Sequence, residues 1–355
     1  MSRPLVSLCV PTYNRASALR ESLKSIQGQD YPHLEILISD NGSTDETEAV
    51  ARAAARGDAR IRYVRHPRNI GLYGNHNFCI NESRGELLGF CHDHDERDLR
   101  IVSEYVAFLE AHPETGVVCS DWDLIDEAGA HIGVRAHKAP LVTPGLAYID
   151  RTIRTGRSSI GVPGALIRRA ALGEARFDEQ GPIGFGDFLV WFRIAERSSV
   201  GHLPRRLWRW RQQRQSQSAR TIESMVQDYA ENLSRYCDGH LSRWPGNTAL
   251  VERWRMFIRR YLFWALAFEV GLYFRERRDE SEHRLEGRTL FEILNYRLSR
   301  ETFERTLHRL RDYRTGPPEH AAFLTITALV QLRLTRPLAW ATYHRSSLTG
   351  LLGLK

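Results

Sequence analysis

An apolar run, Leu87 to Cys91, passes directly into His92-Asp93-His94-Asp95-Glu96. Carboxylates two residues apart at the end of a strand can converge on one hard cation, and such a cation can in turn hold a diphosphate. Asp93 and Asp95 are therefore candidate ligands for Mn²⁺ or Mg²⁺, with His92 and His94 as neighbours able to join them. The competing structural reading is a solvated turn flanked by histidines that serve only the fold.

Three more strand ends or turns carry related signals. Val10-Pro11-Thr12-Tyr13-Asn14-Arg15 offers backbone groups and an aromatic face to a nucleobase; without a ligand it is a strand-to-helix turn with Asn14 or Ser17 near the N-cap. In Ser39-Asp40-Asn41-Gly42-Ser43-Thr44-Asp45, Asp40 can accept the imide N–H of uracil, while Ser43 or Asp45 can cap the helix that follows. Arg68-Asn69-Ile70-Gly71-Leu72-Tyr73-Gly74-Asn75-His76-Asn77 has glycines for a tight backbone path, and amides at Asn69 and Asn77 to meet a nucleotide. Each is nonspecific alone.

The elements that must position these residues alternate along the first third of the chain. Strands are expected at Leu5–Val10, Leu34–Ser39, Ile61–Val64, Leu87–Cys91 and Gly116–Ser120. Between them fall a helix with Leu19, Leu23 and Ile26 on one face, a helix near Glu46–Ala55, and one marked by Ile101, Tyr105, Phe108 and Leu109. This order implies an α/β fold with a mostly parallel sheet, whose ligands lie at the carboxyl ends of the strands. From about residue 130 to 185, Gly- and Pro-rich segments suit loops and short strands that close over a site, and Phe188–Glu196 reads as a helix. Beyond Thr221 the chain reads as largely helical, which predicts two regions, 1–220 and 221–355.

The 355 residues suffice for a large domain with an appended region, and a composition of 42% hydrophobic and 26% charged residues is that of a soluble protein. A net charge of +7 favours anionic partners. Five scattered cysteines without a C-x-x-C pair argue against a disulfide framework or a structural zinc site, and so for a reducing, cytoplasmic setting. No signal peptide is evident, and the apolar stretch Tyr261–Phe274 is shorter than the ~20 residues that span a bilayer.

Taken in order, these motifs resemble glycosyltransferase family 2, whose members have the GT-A fold, a Rossmann-like nucleotide-binding sheet. The match runs from Pro4 to Ser218. Besides the four motifs it includes Val118-Cys119-Ser120-Asp121, Pro163-Gly164-Ala165-Leu166-Ile167-Arg168-Arg169 and Gly186-Asp187-Phe188-Leu189-Val190-Trp191-Phe192-Arg193. The resemblance implies that Pro11, Thr12, Tyr13, Arg15, Asp40, Asn69, Gly71, Asn77 and Asp93 face the nucleotide-sugar donor. Asp93 and Asp95 would form the family's D-x-D metal motif. The family more often shows consecutive acids, and counting back from the Leu109 helix brings His94 to an acidic position as readily as Asp93. An inverting transfer also needs a base on the sugar face opposite the leaving diphosphate, and Asp187 matches the family's catalytic acid. Its structural alternative is a helix N-cap worth ~1 kcal/mol.

The implied activity is an inverting, metal-assisted transfer from a donor such as a UDP-sugar to a hydroxyl of a glycan or lipid-linked acceptor, in surface-polysaccharide or glycolipid assembly. Asp121, Asp123 and Arg211 are candidate acceptor or phosphate contacts. Leu203–Arg220 carries six arginines and two tryptophans but no carboxylate, which suits phosphates, a membrane surface or a basic strand beside the site. Alternatives are a sugar-phosphate nucleotidyltransferase, for which Val10–Arg15 lacks the Gly-rich phosphate loop, and a nucleic-acid-binding protein built on the Arg/Trp run. No nucleic acid is expected under the main reading. Trp254, Phe257, Tyr261, Leu262 and Trp264 have the spacing of a packed helix, and Phe323–Leu354 suits a bilayer surface.

Overall fold

The computed structural model describes residues 3–212, 222–260 and 262–263. In chain order the first part comprises β1 (Val6–Thr12), α1 (Ala16–Gln27), β2 (Leu34–Asp40), α2 (Thr47–Gly57), β3 (Ile61–Arg65), α3 (Leu72–Glu82) and β4 (Leu87–Phe90). There follow β5 (Glu96–Arg97), α4 (Ile101–Ala111), β6 (Thr115–Ile125), β7 (His131–Arg135), β8 (Val142–Thr143) and α5 (Gly145–Thr155). The remainder is β9 (Ala165–Arg168), α6 (Arg169–Leu172), α7 (Gly186–Ala195), β10 (Ser199–Arg211) and α8 (Ile222–Arg243).

All ten strands join one sheet, with the path β3-β2-β1-β4-β9-β6-β10-β5 and with β7 against β6 and β8 against β10. The long ladders are parallel: β1 with β2 and β4, β2 with β3, and β6 with β10. Short β9 is antiparallel to both β4 and β6, so β4 and β6 still run the same way. The sheet is mostly parallel, as the alternating order predicts. Helices cover its apolar faces: Leu19, Leu23 and Ile26 of α1, and Ile101, Tyr105, Phe108 and Leu109 of α4, are buried against Leu8, Val10, Ile36 and Ile38. Strands buried on both faces read as continuous apolar runs, which is why β1, β2 and β4 are legible in the sequence.

Several boundaries differ from the expectation. β1 extends to Thr12, so Pro11 and Thr12 belong to the strand, and Thr12 pairs with Asp40 across the ladder. β6 runs to Ile125 and thus contains Asp121 and Asp123 within the strand. Helix α3 occupies the segment read as a nucleotide loop. Its Asn75, His76 and Asn77 are buried along with Tyr73, Cys79 and Ile80, so it has no apolar stripe to betray it. α5 and the full length of β10 were also hidden, in the Gly-rich segment and the Arg/Trp run, whereas β9 is a short strand of the kind expected there.

The chain divides into two compact units. The first contains residues 3–149 and 158–212; the second contains 150–157, 222–260 and 262–263. In the second unit, Trp254 is fully buried and donates its indole N–H to Asp150 at 3.1 Å, and Tyr229 donates to the Ile153 carbonyl at 2.9 Å. Leu262 is buried and Phe257 half-buried, whereas Tyr261, Trp264, Phe323–Leu354 and the expected boundary at 220/221 lie outside the described residues. All five cysteines are buried thiols. Among the described residues no helix is long and apolar enough to cross a membrane.

Candidate functional site

The ends of β1, β2 and β4 lie side by side, and each delivers a turn to the same edge. Gly42 (φ +79°) makes the turn after β2 possible; a Cβ there would sit 2.9 Å from the Arg68 backbone. The turns after β1 and β2 are stitched together. Asn14 donates its backbone N–H to Ser43 Oγ and accepts the Thr44 N–H at 2.7 Å. Asp45 receives amide hydrogens from Ala16 and Thr47, the first residues of two helices, and so caps both. Asn14 adopts φ +52°, an uncommon conformation for a residue with a side chain.

Beyond β4 the ladder continues for one more hydrogen bond, Cys91 N–H to the Cys9 carbonyl at 2.7 Å, and then turns through His92–Asp95. Asp93, 5% exposed, is held on both oxygens: Thr12 Oγ1 donates to Oδ2 at 2.7 Å, and His94 Nδ1 lies 2.9 Å from Oδ1. Arg15 Nε stands 3.8 Å from the same Oδ1. Asp95, 3% exposed, accepts the Arg211 backbone N–H on Oδ1 at 2.9 Å. Its Oδ2 is buried without a hydrogen-bond partner, as is His92 Nδ1, 3.3 Å away. The His92 and His94 rings are stacked at 5.3 Å. Burial alone would raise the Asp95 carboxyl, but the His92 and His94 imidazoles and the Arg211 amide outweigh it and keep it below the usual carboxylate range.

The donor set fits a divalent cation. One ligand atom from each of His92, His94 and Asp95 lies within 4.8 Å of the others, and a buried carboxylate oxygen without a partner is what an ion would satisfy. Arg211 braces this loop rather than standing free for an acceptor. Its Nε donates to the His94 carbonyl, its Nη1 to the carbonyls of Asp126 and Glu127, and its Nη2 to Glu96 at 2.5 Å.

Asp187 is the second residue of α7 and is partly buried. Burial pushes its carboxyl up to about 6, against the Trp191 indole at 3.3 Å, the first amides of the helix and the charge of His92, all of which favour ionisation. Trp191 is fully enclosed. The approach to the helix is set by Tyr73 of α3, which donates its hydroxyl to the Ile183 carbonyl at 2.5 Å. Gly186 is required there because a Cβ would lie 2.5 Å from the Tyr73 hydroxyl oxygen. Phe185, with φ +60°, makes the left-handed turn into the helix. No local signal in the sequence identifies Tyr73, since its contact spans 110 residues.

The remaining candidates fall into two groups. Pro11, Tyr13 and Arg15 are half-buried at the site edge, and Asn69 and Gly71 are exposed beside it. Asn69 accepts the Gly71 N–H and an Asn41 amide hydrogen, which shapes that loop. In contrast, Asp40 is fully enclosed, taking the Ser43 N–H and the Tyr63 hydroxyl at 2.8 Å each. Asn77 fastens the Phe177–Glu179 segment, bonding the Phe177 backbone in both directions and Glu179. Asp121 accepts the His137 N–H at 2.8 Å and lies 3.0 Å from His202 Nε2. In the Arg/Trp strand, Arg205, Arg206, Arg209 and Arg211 face Glu104, Asp123 and Glu96, so the basic run is matched by acids from neighbouring elements. Arg214 and Arg220 lie outside the described residues.

A mostly parallel sheet covered by helices, with carboxylates and imidazoles gathered where its central strands end, is the GT-A architecture. Structures of similar fold include S. aureus TarS 1-349 in complex with UDP-GlcNAc, with a TM-score of 0.57, 16% identity and 92% of each chain covered. Another is the mannosyltransferase PcManGT from Pyrobaculum calidifontis in complex with GDP-Man and Mn²⁺, with a TM-score of 0.52, 17% identity, and 99% of this chain and 88% of that one covered. Residues 7–174 match the sequence profile of glycosyl transferase family 2, which places a domain of that family in this part of the chain. Curated relatives include the GalNAc(5)-diNAcBac-PP-undecaprenol beta-1,3-glucosyltransferase of Campylobacter jejuni, 39% identical over 94 residues, 26% of this chain and 30% of that one. The putative glycosyltransferase EpsE of Bacillus subtilis is 33% identical over 129 residues, 36% of this chain and 46% of that one. These alignments span less than half the length of either relative.

Proposed function

We propose that the chain transfers a sugar from a nucleoside diphosphate donor, such as a UDP-sugar, to a hydroxyl of a glycan or lipid-linked acceptor, with inversion at the anomeric carbon. The observation that carries this reading is the pairing of two acids with opposite environments at one sheet edge: Asp95, kept ionised beside imidazoles, and Asp187, whose proton affinity is raised. The turns after β1 and β2, with Pro11, Tyr13 and Arg15, would receive the nucleoside. A divalent cation held at Asp95 would offset negative charge on the departing diphosphate.

Asp187 takes the proton from the acceptor hydroxyl as its oxygen bonds to the anomeric carbon. The bond from that carbon to the diphosphate oxygen breaks on the opposite face, and the nucleoside diphosphate leaves with the electron pair. A carboxyl whose pKa stands near 6 is a stronger base than an ordinary aspartate and is still mostly ionised at neutral pH. The enclosed Trp191 indole donates to one carboxylate oxygen and steadies the group.

A panel of nucleotide sugars tests the reading by thermal shift, followed by product analysis. A true donor at 100 times its dissociation constant adds ~2.7 kcal/mol of stability. With acceptor present it is consumed to a product of inverted anomeric configuration. A panel in which no nucleotide sugar raises the unfolding temperature and none is consumed would overturn it.

A further inference from the structure

We infer that this chain binds its cation through the imidazoles of His92 and His94 and the carboxylate of Asp95. Asp93 stands behind them as an outer carboxylate, so the site prefers a first-row transition ion such as Mn²⁺ to Mg²⁺. The inference rests on the reading of this edge as a diphosphate site, but it concerns the ligand atoms themselves.

Asp93 is already committed. Thr12 occupies one oxygen at 2.7 Å and His94 Nδ1 the other at 2.9 Å, with Arg15 Nε at 3.8 Å. An ion bound directly to Asp93 would have to displace these partners. The bond to His94 instead places the Nδ1 proton toward Asp93 and leaves Nε2 with its lone pair, 3.9 Å from Asp95 Oδ1. A carboxylate behind a ligating histidine fixes its tautomer and makes it more basic. Asp95 Oδ1 is taken by the Arg211 amide, which leaves Oδ2. That oxygen and His92 Nδ1 are the buried atoms of this loop with no hydrogen-bond partner, and they face each other at 3.3 Å.

Ligand atoms ~2.1 Å from a common ion lie ~3.0–3.4 Å apart when adjacent and at most ~4.2 Å apart when opposite, so the observed spread of up to 4.8 Å contracts when the ion binds. Affinity for imidazole nitrogen rises along the first-row ions from Mn²⁺ to its heavier neighbours, whereas Mg²⁺ favours oxygen ligands in near-ideal octahedral geometry. The sequence signal is His-Asp-His-Asp itself, where consecutive acids would supply oxygens alone.

The full chain, stripped of metal with a chelator, is titrated calorimetrically with MnCl₂ and with MgCl₂, each with and without UDP as a probe. The Mn²⁺ complex is then examined by electron spin-echo spectroscopy for nitrogen couplings. The expected result is Mn²⁺ binding at least tenfold tighter than Mg²⁺, with imidazole nitrogen couplings. His92→Asn and His94→Asn should each weaken Mn²⁺ by 10–100-fold and narrow the gap to Mg²⁺. Asp93→Asn should weaken Mn²⁺ while the couplings persist. Absence of nitrogen couplings in the native chain, equal affinity for the two ions, or no Mn²⁺ binding would each overturn the inference. Sugar transfer that persists in chelator would sink it alone and leave the proposed transfer standing.

Discussion

Asp95 and Asp187 are the same residue type at the same end of the domain, yet their surroundings drive them in opposite directions. Burial raises both. At Asp95 the neighbouring imidazoles and the Arg211 amide more than offset it, so the carboxylate persists to low pH. At Asp187 the Trp191 indole, two helix amides and the distant charge of His92 do not, and the group stands near 6. One environment suits holding a cation and the other suits accepting a proton. Aspartate identity alone carries neither role; the partners assign it.

The sharpest way to break this contrast is to neutralise Asp187. In Asp187→Asn, transfer should fall by ~10²–10⁴ while the donor dissociation constant stays within a few-fold, measured by steady-state rates and calorimetry. Unaltered turnover would remove Asp187 as the base. The same variant separates the base from a mere helix cap through stability. A carboxyl raised from 3.8 to about 6 is bound more tightly by protons when folded, so its contribution to stability is greatest below pH 4 and is lost as pH rises through 6. Asp187→Asn should thus raise stability at pH 7, by ~1–3 kcal/mol, and flatten that part of the pH dependence. If Asp187 served only as a cap, stability would stay nearly unchanged at both pH values, since Asn caps as well as Asp. Denaturant melts at pH 4 and pH 7 decide between them.

Gly186→Ala probes how the base is positioned. Its Cβ would meet the Tyr73 hydroxyl oxygen at 2.5 Å, so α7 must shift, with an expected cost of ~1–3 kcal/mol and a lower kcat. Wild-type melting and turnover would show that the Tyr73 contact does not set the approach. Turnover should also fall tenfold per pH unit below a midpoint of about 6. A limb well above 6 would point to another group. Thr12→Val strips one hydrogen bond from enclosed Asp93, and about 1–3 kcal/mol of stability should be lost by thermal melting, without the added drop in turnover expected of Gly186→Ala.

Legibility in the sequence followed the physics of each element. Leu19, Leu23 and Ile26 announce α1 because one face of it meets the sheet. Helix α3 stayed hidden because polar Asn75, His76 and Asn77 are buried in it, satisfied by partners such as Ser39 and Phe177 that lie far along the chain. The 13-residue β10 reads as a basic patch because its arginines meet acids from other elements. Asp40 and Asn77 matched a nucleotide-binding pattern by type and order, yet their polar atoms are engaged inside the domain.

Local chemistry, written in the order of residues, determined that this chain makes a strand-and-helix sheet with acids at its carboxyl edge and an acid opening a later helix. Apolar periodicity and turn residues are properties of neighbours in sequence, and they survive without any knowledge of distant contacts. Only the tertiary structure decided that Asp93 is bound by Thr12 and His94, that Asp95 keeps one oxygen unpartnered, and that Tyr73 sets the approach to Asp187. Those outcomes depend on which groups burial brings together, as with Thr12 and Asp93 or Tyr73 and Ile183 across 80 or more residues, and on which of them are left without a partner when the domain closes.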